Sequence, residues 1–248
     1  MNEPKAGATS LCAEAVQPAA RYQAVYFDAG QTLIDARLDR PARFLHFAAE
    51  WRLAVEPAAG RAAHLRLWRQ HFGERYPEGN QSTTDALCLA FYRDLLDDLR
   101  VPDAGAQTAA RLMTACDYRY WMEPYPDAVA ALAWLQGKFR LALLSNAPPS
   151  LRTLLDQLGL ARYFDHMVIS GEVDVRKPDP GIYRLALASL GVRADESLFV
   201  DDLEENLVVA REMGMGCLLM DRRNQQPPTA FRRVTDMQGV IRELFPDE

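Results

Sequence analysis

The stretch QAVYFDAGQTL, residues 23–33, opens with a short apolar, β-favouring run and stops in a carboxylate. Gln23 to Phe27 reads as a buried strand. Asp28, followed by the turn-prone Ala29-Gly30-Gln31, sets a charged side chain at that strand's carboxyl end. Downstream the pattern returns, with strands expected over Arg140 to Leu144, His166 to Ile169, Leu198 to Val200 and Gly216 to Met220. Helices are expected over Asp127 to Gln136, Pro149 to Leu158, Pro180 to Leu190 and Glu204 to Met213. A last helix, capped by Asp236, is expected to run to Leu244 after a loop around Pro227-Pro228. This alternation predicts an α/β fold built on a doubly wound parallel sheet of five strands.

The segment from about Asp35 to Met122 differs in character: it is rich in Arg and Ala and shows helical spacing. Its clearest helix is expected from Thr84 to Arg100, where Cys88, Phe91, Tyr92, Leu95, Leu96 and Leu99 trace one apolar face. The expected organisation is a loosely ordered tail over 1–20, an α/β core over 21–34 and 123–248, and a helical insert over 35–122. Hinges are expected near Leu33 to Ala36 and Met122 to Pro126, where the insert joins the core.

Composition bounds the partners. A net charge of −6 argues against nucleic acid and against anionic membrane surfaces, both of which require clustered positive charge. A small molecule is the expected partner of a monomer or homodimer. No run approaches the ~18 apolar residues that a membrane span needs, and the first 20 residues lack a basic-then-apolar signal pattern, so a cytoplasmic protein is expected. Cys12, Cys88, Cys116 and Cys217 show no CxxC spacing and read as reduced thiols rather than metal ligands.

Four expected strands end in polar residues: Phe27 runs into Asp28, Leu144 into Ser145-Asn146, Ile169 into Ser170, and Val200 into Asp201-Asp202. Ligands bind outside the carboxyl ends of open parallel sheets. Three carboxylates on one such edge repel one another unless a cation neutralises them, and the hard oxygen donors suit Mg²⁺. With no His or Cys at these strand ends, zinc is disfavoured. Lys177 stands out because the chain has only three lysines, Lys5, Lys138 and Lys177, against 25 arginines. A compact ammonium on a flexible stem can bridge an aspartate and a phosphoryl oxygen.

FDAGQTL at 27–33, LALLSNA at 141–147, VRKPDPGIY at 175–183 and LFVDDLEENL at 198–207 resemble, in order and spacing, the four motifs of the haloacid dehalogenase superfamily. The RKPDP and VDDxxxN segments resemble the branch whose helical cap lies between the first and second motifs. The resemblance implies a Rossmann-like core with an inserted cap and a Mg²⁺-dependent phosphohydrolase acting on a small phosphorylated substrate through an aspartyl-phosphate. It implies Asp28 as nucleophile, Ser145 and Lys177 holding the phosphoryl group, and Asp28, the Gly30 carbonyl and Asp202 as metal ligands. Asp201 and Asn206 would support them, and Asn146, Gln31 and Thr32 would contact substrate.

One position departs from the pattern. Most phosphatases of the superfamily carry a second aspartate, the general acid and base, where this chain has Gly30, and a positioned acid/base contributes about 10² to 10⁴ in rate. A cap residue could supply the proton, with His46, Glu50, His64 and His71 as candidates, or the leaving group could need no help. A carbon–halogen hydrolase also lacks that aspartate, but usually has an aromatic there and a Ser-rich stretch in place of Asp201-Asp202. Phosphonate-cleaving relatives need a cap lysine, and residues 35–122 contain none. A degenerate member that only binds a ligand or partner is the non-enzymatic alternative. Each residue also has a plainer reading: either of Asp201 and Asp202 could cap the following helix, and histidines on amphipathic helices are more often packed than catalytic.

Overall fold

The structure, a computed structural model, describes residues 21–73 and 81–246; the expected N-terminal tail, with Lys5 and Cys12, lies outside them. Strand β1 (Ala24–Phe27) is followed by a short β2 (Ile34–Ala36) and four helices, α1 (Arg40–Glu50), α2 (Pro57–Phe72), α3 (Gln81–Asp98) and α4 (Ala106–Ala115). The chain returns through β3 (Met122–Pro124) into α5 (Pro126–Leu135), β4 (Arg140–Ser145), α6 (Ser150–Gln157), β5 (His166–Ile169) and the single turn α7 (Ser170–Val173). It finishes with α8 (Pro180–Leu190), β6 (Ser197–Asp201), α9 (Glu204–Glu212), β7 (Gly216–Met220), β8 (Arg232–Val234) and α10 (Met237–Leu244).

The main sheet has six strands in the order β5-β4-β1-β6-β7-β8, every neighbouring pair parallel. In β1, Val25 and Phe27 pack into one apolar cluster with α5, α6 and α10, while Ala24 and Tyr26 pack into another with α8 and α9. Strand periodicity sends alternate side chains to opposite faces, and helices bury both; hence a continuously apolar run rather than an alternating one. The chain moves outward from β1 to β5, crosses back to β6 and moves outward again, so the order reverses at β1. A crevice opens there, at the carboxyl ends.

The sixth strand corrects the expectation of five. β8 has only three residues, two of them arginines, and its pairing with β7 is set by tertiary contact. A short, charged edge strand carries little β signal of its own and discourages further pairing. α10 starts where expected, with the Asp236 side chain accepting from the Gly239 N–H at 2.7 Å.

Between β2 and β3 the four helices build a separate apolar cluster around Phe44, Phe91, Leu95, Leu96 and Leu112. On α3 the expected stripe faces inward, with Phe91, Tyr92, Leu95 and Leu96 buried. The junction holds a feature that helical spacing did not disclose: β2 and β3 pair antiparallel, Ile34 opposite Pro124 and Ala36 opposite Met122, so the chain leaves and re-enters the core on one ribbon. No helix among the described residues is long and apolar enough to cross a membrane.

Candidate active site

Register brings the acidic residues together. Phe27 lies level with Leu143 on β4 and Val200 on β6, so Asp28 and Asp201, the next residues, emerge side by side, with Ser145 at the end of β4. Ser145 Oγ donates to Asp28 Oδ1 at 3.0 Å. Lys177 Nζ, on a residue only 2% exposed, donates to the same oxygen at 2.8 Å and to Asp201 Oδ2 at 2.6 Å. Asp28 Oδ2 has no hydrogen-bond partner among the described residues. One oxygen of the expected nucleophile is therefore fixed by two donors, and the other is open.

The loop carrying Lys177 is held by Asn146, whose Nδ2 donates to the Lys177 carbonyl at 2.8 Å while its Oδ1 accepts from the Lys177 N–H at 2.8 Å. This side chain, expected to contact substrate, spends both ends of its amide on the lysine's backbone. Asp201 and Asp202 divide the labour. Asp201 is fully buried and accepts from Lys177, from the Leu203 N–H at 2.8 Å and from Asn206 Nδ2 at 3.0 and 3.1 Å. Asp202 is half-buried, and its carboxylate forms no ion pair among the described residues.

The electrostatics follow. Burial raises the Asp28 carboxyl above the ordinary carboxylate range, Lys177 opposes it, and the Asp201 charge adds to the rise. Asp202 is pushed up to about 8, first by burial and then by the Asp28 and Asp201 charges. Burial would lower the Lys177 ammonium, but Asp201 and Asp28 more than offset it and hold it protonated. Three carboxylates against one ammonium leave two negative charges when all are ionised, a deficit equal to the charge of one divalent cation. Among the described residues no group of three or more His, Cys, Asp and Glu side chains could hold a metal by itself. Mg²⁺ does not need one, since it keeps waters and takes phosphate oxygens beside one or two carboxylates. The hard-oxygen set of Asp28, Asp202 and the Gly30 carbonyl fits that chemistry, and the buried Asn206 Oδ1, without a partner, is a spare acceptor nearby.

A cleft of about 370 Å³ opens over Gly30, Gln31, Ser145 and Asn146 from the core and Arg40, Arg43 and Tyr118 from the insert side. A Cβ at Gly30 would meet nothing within 4 Å, and Gly30 does not need a positive φ, so neither space nor backbone demands glycine here. Gln31, at φ 52°, is exposed in the cleft. Thr32 is fully buried with an unpartnered Oγ1 and does not line the cleft.

The four expected proton donors also lie elsewhere. His46 is exposed on α1 beside Glu50 at 3.7 Å, and His71 pairs with Asp94 at 2.8 Å. His64 is sealed among Phe44, Trp68 and Phe91, and none of the four lines the cleft. Two arginines were not singled out in the sequence. Arg222 donates from Nε and Nη2 to the Thr32 carbonyl at 3.1 and 2.6 Å and from Nη1 to Asp127, anchoring the turn after Asp28. Arg43 projects from α1 to the cleft wall. In a chain with 25 arginines no local signal separates these two from the rest.

A family profile for haloacid dehalogenase-like hydrolases matches residues 22–214. A phosphoserine phosphatase from Thermus thermophilus is 38% identical over 197 residues, 76% of this chain and 75% of its own length. An (S)-2-haloacid dehalogenase 4A from Burkholderia cepacia is 29% identical, over 90% of this chain and 94% of its own. A magnesium-bound HAD-hydrolase structure from Bacillus subtilis has the same fold, with a TM-score of 0.65 over 90% of this chain and 99% of that one, at 16% identity.

Proposed function

The chain belongs to the haloacid dehalogenase-like hydrolases and is a hydrolytic enzyme; from this premise we propose that it is a Mg²⁺-dependent phosphohydrolase of a small phosphorylated metabolite, with Asp28 as nucleophile. The observation that carries the reading is the division of Asp28: Oδ1 is pinned by Ser145 and Lys177, and Oδ2 is unbonded beside an unpaired Asp202. Oδ2 attacks phosphorus in line with the leaving oxygen, forming an aspartyl-phosphate and releasing the alcohol; water then cleaves the P–O bond, restoring the carboxylate. Ser145 and Lys177 stabilise the charge on the transferring group, and Asn146 keeps Lys177 in reach. Asp28, Asp202 and the Gly30 carbonyl would hold a Mg²⁺ ion, which would supply the countercharge that two acidic residues otherwise lack.

Because Gly30 has no side chain to protonate the leaving alcohol or to activate water, turnover is slow unless the leaving group is acidic. In this reading the helices between β2 and β3 form a cap that covers the cleft and pivots on the β2–β3 ribbon. The enzyme works in the cytoplasm as a monomer or homodimer, without nucleic acid or membrane.

Carbon–halogen hydrolysis is the second reading, favoured by Gly30, since a departing halide needs no proton, and by the similarity to the (S)-2-haloacid dehalogenase. The test is release of phosphate from a panel of phosphomonoesters and acyl phosphates, and of halide from 2-haloacids, with and without Mg²⁺. Metal-dependent phosphate release is expected; metal-independent halide release without phosphate release would replace the proposal with the second reading.

A further inference from the structure

Strand β7 delivers a charged side chain to the same sheet edge as the site. Met220 runs into Asp221-Arg222 one strand beyond Asp201, and the Arg222 side chain is only 6% exposed. Its guanidinium is engaged at three points. Nε and Nη2 donate to the Thr32 carbonyl at 3.1 and 2.6 Å, Nη1 donates to the two oxygens of Asp127 at 2.9 and 2.7 Å, and the central carbon lies 4.1 Å from the centre of the Tyr125 ring.

These partners come from two segments. Thr32 belongs to the turn that begins at Asp28. Tyr125 and Asp127 lie where the chain re-enters the core after the insert: the Tyr125 N–H donates to the Leu33 carbonyl at 2.9 Å, and the Tyr125 hydroxyl donates to Asp35 Oδ2 at 2.9 Å. A planar guanidinium fork can grip both segments at once in a fixed geometry, which a single ammonium cannot. Within the turn, the carbonyls of Ala29, Thr32, Leu33 and Ile34 all accept hydrogen bonds, whereas those of Gly30 and Gln31 accept none among the described residues. The Gly30 carbonyl is therefore held by its neighbours' bonds rather than by one of its own. Of those bonds, only the pair to Thr32 comes from a side chain, and that side chain is Arg222.

We propose that Arg222 is a positioning residue for the metal: its fork sets Thr32, and through it the Gly30 carbonyl, against the re-entering chain, so that Mg²⁺ affinity depends on a side chain outside the ligand set. The inference rests on reading Asp28, Asp202 and the Gly30 carbonyl as the groups that hold Mg²⁺. Removing a partner that orients a metal ligand without touching the ion typically weakens binding by about 10- to 100-fold.

The test is calorimetric titration of Mg²⁺ into wild type, Arg222→Gln, Arg222→Lys, Asp127→Asn and Asp202→Asn, with the Tm of each measured alongside. Arg222→Gln is expected to raise the Kd for Mg²⁺ by about 10-fold, and Arg222→Lys, which keeps one donor for Thr32, by less. Asp127→Asn breaks the ion pair but leaves the donors to Thr32 in place, so it is expected to lower Tm while its Kd stays close to that of wild type. An unchanged Kd in Arg222→Gln overturns the proposal. So does an equal rise in Asp127→Asn, which would show general loosening. Wild type offers a measurement that needs no variant: Mg²⁺ is expected to slow deuterium exchange at the Tyr125 amide, which is bonded to the turn, and unchanged exchange there overturns the proposal even where a variant does not fold. Asp202→Asn separates the two readings. If it weakens Mg²⁺ binding and Arg222→Gln does not, the ligand set stands and the positioning role fails. If wild type binds no Mg²⁺, or Asp202→Asn binds it as wild type does, the ligand set fails and the positioning role falls with it.

Discussion

The strand-end site ties its buried charged side chains to one another, though Asn206 Oδ1 and Thr32 Oγ1 lack partners among the described residues, whereas the helical insert holds a buried arginine and a buried imidazole without side-chain hydrogen-bond partners there. At the strand ends Lys177 answers two aspartates, Asp201 accepts from three residues, and Asn146 clasps the lysine loop at two points. In the insert, Arg43 Nε and both ring nitrogens of His64 are buried without a partner among the described residues. A satisfied network holds one geometry, whereas unsatisfied groups cost stability and point to something absent or to a tolerated flaw. The sheet edge is thus built to perform one chemical step.

Breaking the satisfied network gives the largest effect. Lys177→Met leaves Asp28 and Asp201 facing each other in a buried site, and the loss of one member of a buried charge pair costs about 3–5 kcal/mol. The expected result is an unfolding free energy lowered by that amount in a denaturant titration and kcat reduced by about 10³ or more, the scale of removing a donor aimed at transition-state charge. Unchanged stability would mean that the network is not a unit.

Filling the gap in the same network comes next. Gly30→Asp has room for its side chain and no backbone strain. It is expected to fold as wild type and to raise kcat on alkyl phosphates by about 10², within the range of a positioned acid/base. No gain would show that another group already moves the proton.

The metal sharpens the contrast at intermediate size. With Asp202 at about 8 instead of its ordinary 3.8, the folded chain holds a proton that the unfolded chain has released. Stability of the metal-free protein therefore falls as pH rises from about 4 to about 8. Mg²⁺ displaces that proton, so it is expected to raise Tm more at pH 8 than at pH 5, by roughly 5–10 °C near 100-fold Kd. Asp202→Asn removes both dependences, as a melting series checks.

The smallest effect lies in the insert and has the opposite sign. His64 is pushed down to about 3 by burial, with the Arg40 and Arg43 charges adding to it. Between its ordinary value near 6.5 and that level, the unfolded chain takes up a proton that the folded chain refuses, so stability is lost as pH falls through the window. His64→Leu removes two unsatisfied nitrogens from an apolar cluster. It is expected to stabilise the protein by about 1 kcal/mol, or roughly 2–4 °C, and to flatten this acid slope. Destabilisation would reveal a partner for the ring.

These two regions also differ in how much of them can be read in the sequence. Asp28, Ser145, Lys177 and Asp201 follow apolar strands or lie in the loop after one, so chain direction alone delivers them to one edge. Their motifs fix the order. The family resemblance names Asp202 as the metal ligand and Asp201 as its support, but spacing alone does not separate them, because both precede α9 and only the fold decides which of them turns inward to Lys177. Arg43, Arg222 and the β2–β3 ribbon were not legible for a similar reason. Each acts through a contact distant in sequence, Arg222 with Thr32 and Ile34 with Pro124, and no local spacing encodes such a pairing. His64 misled as a candidate proton donor because helical periodicity shows which residues share a face but not which face meets the cleft.

The most direct test is the intact mass of wild type and Asp28→Asn after acid quench of a Mg²⁺-containing reaction with an acyl phosphate donor. A phosphoryl adduct that maps to Asp28 in wild type and is absent from Asp28→Asn is the expected result, with a larger trapped fraction in wild type than in Gly30→Asp. Phosphate release by Asp28→Asn at the wild-type rate, or an adduct on another residue, would contradict the assignment of Asp28 as nucleophile.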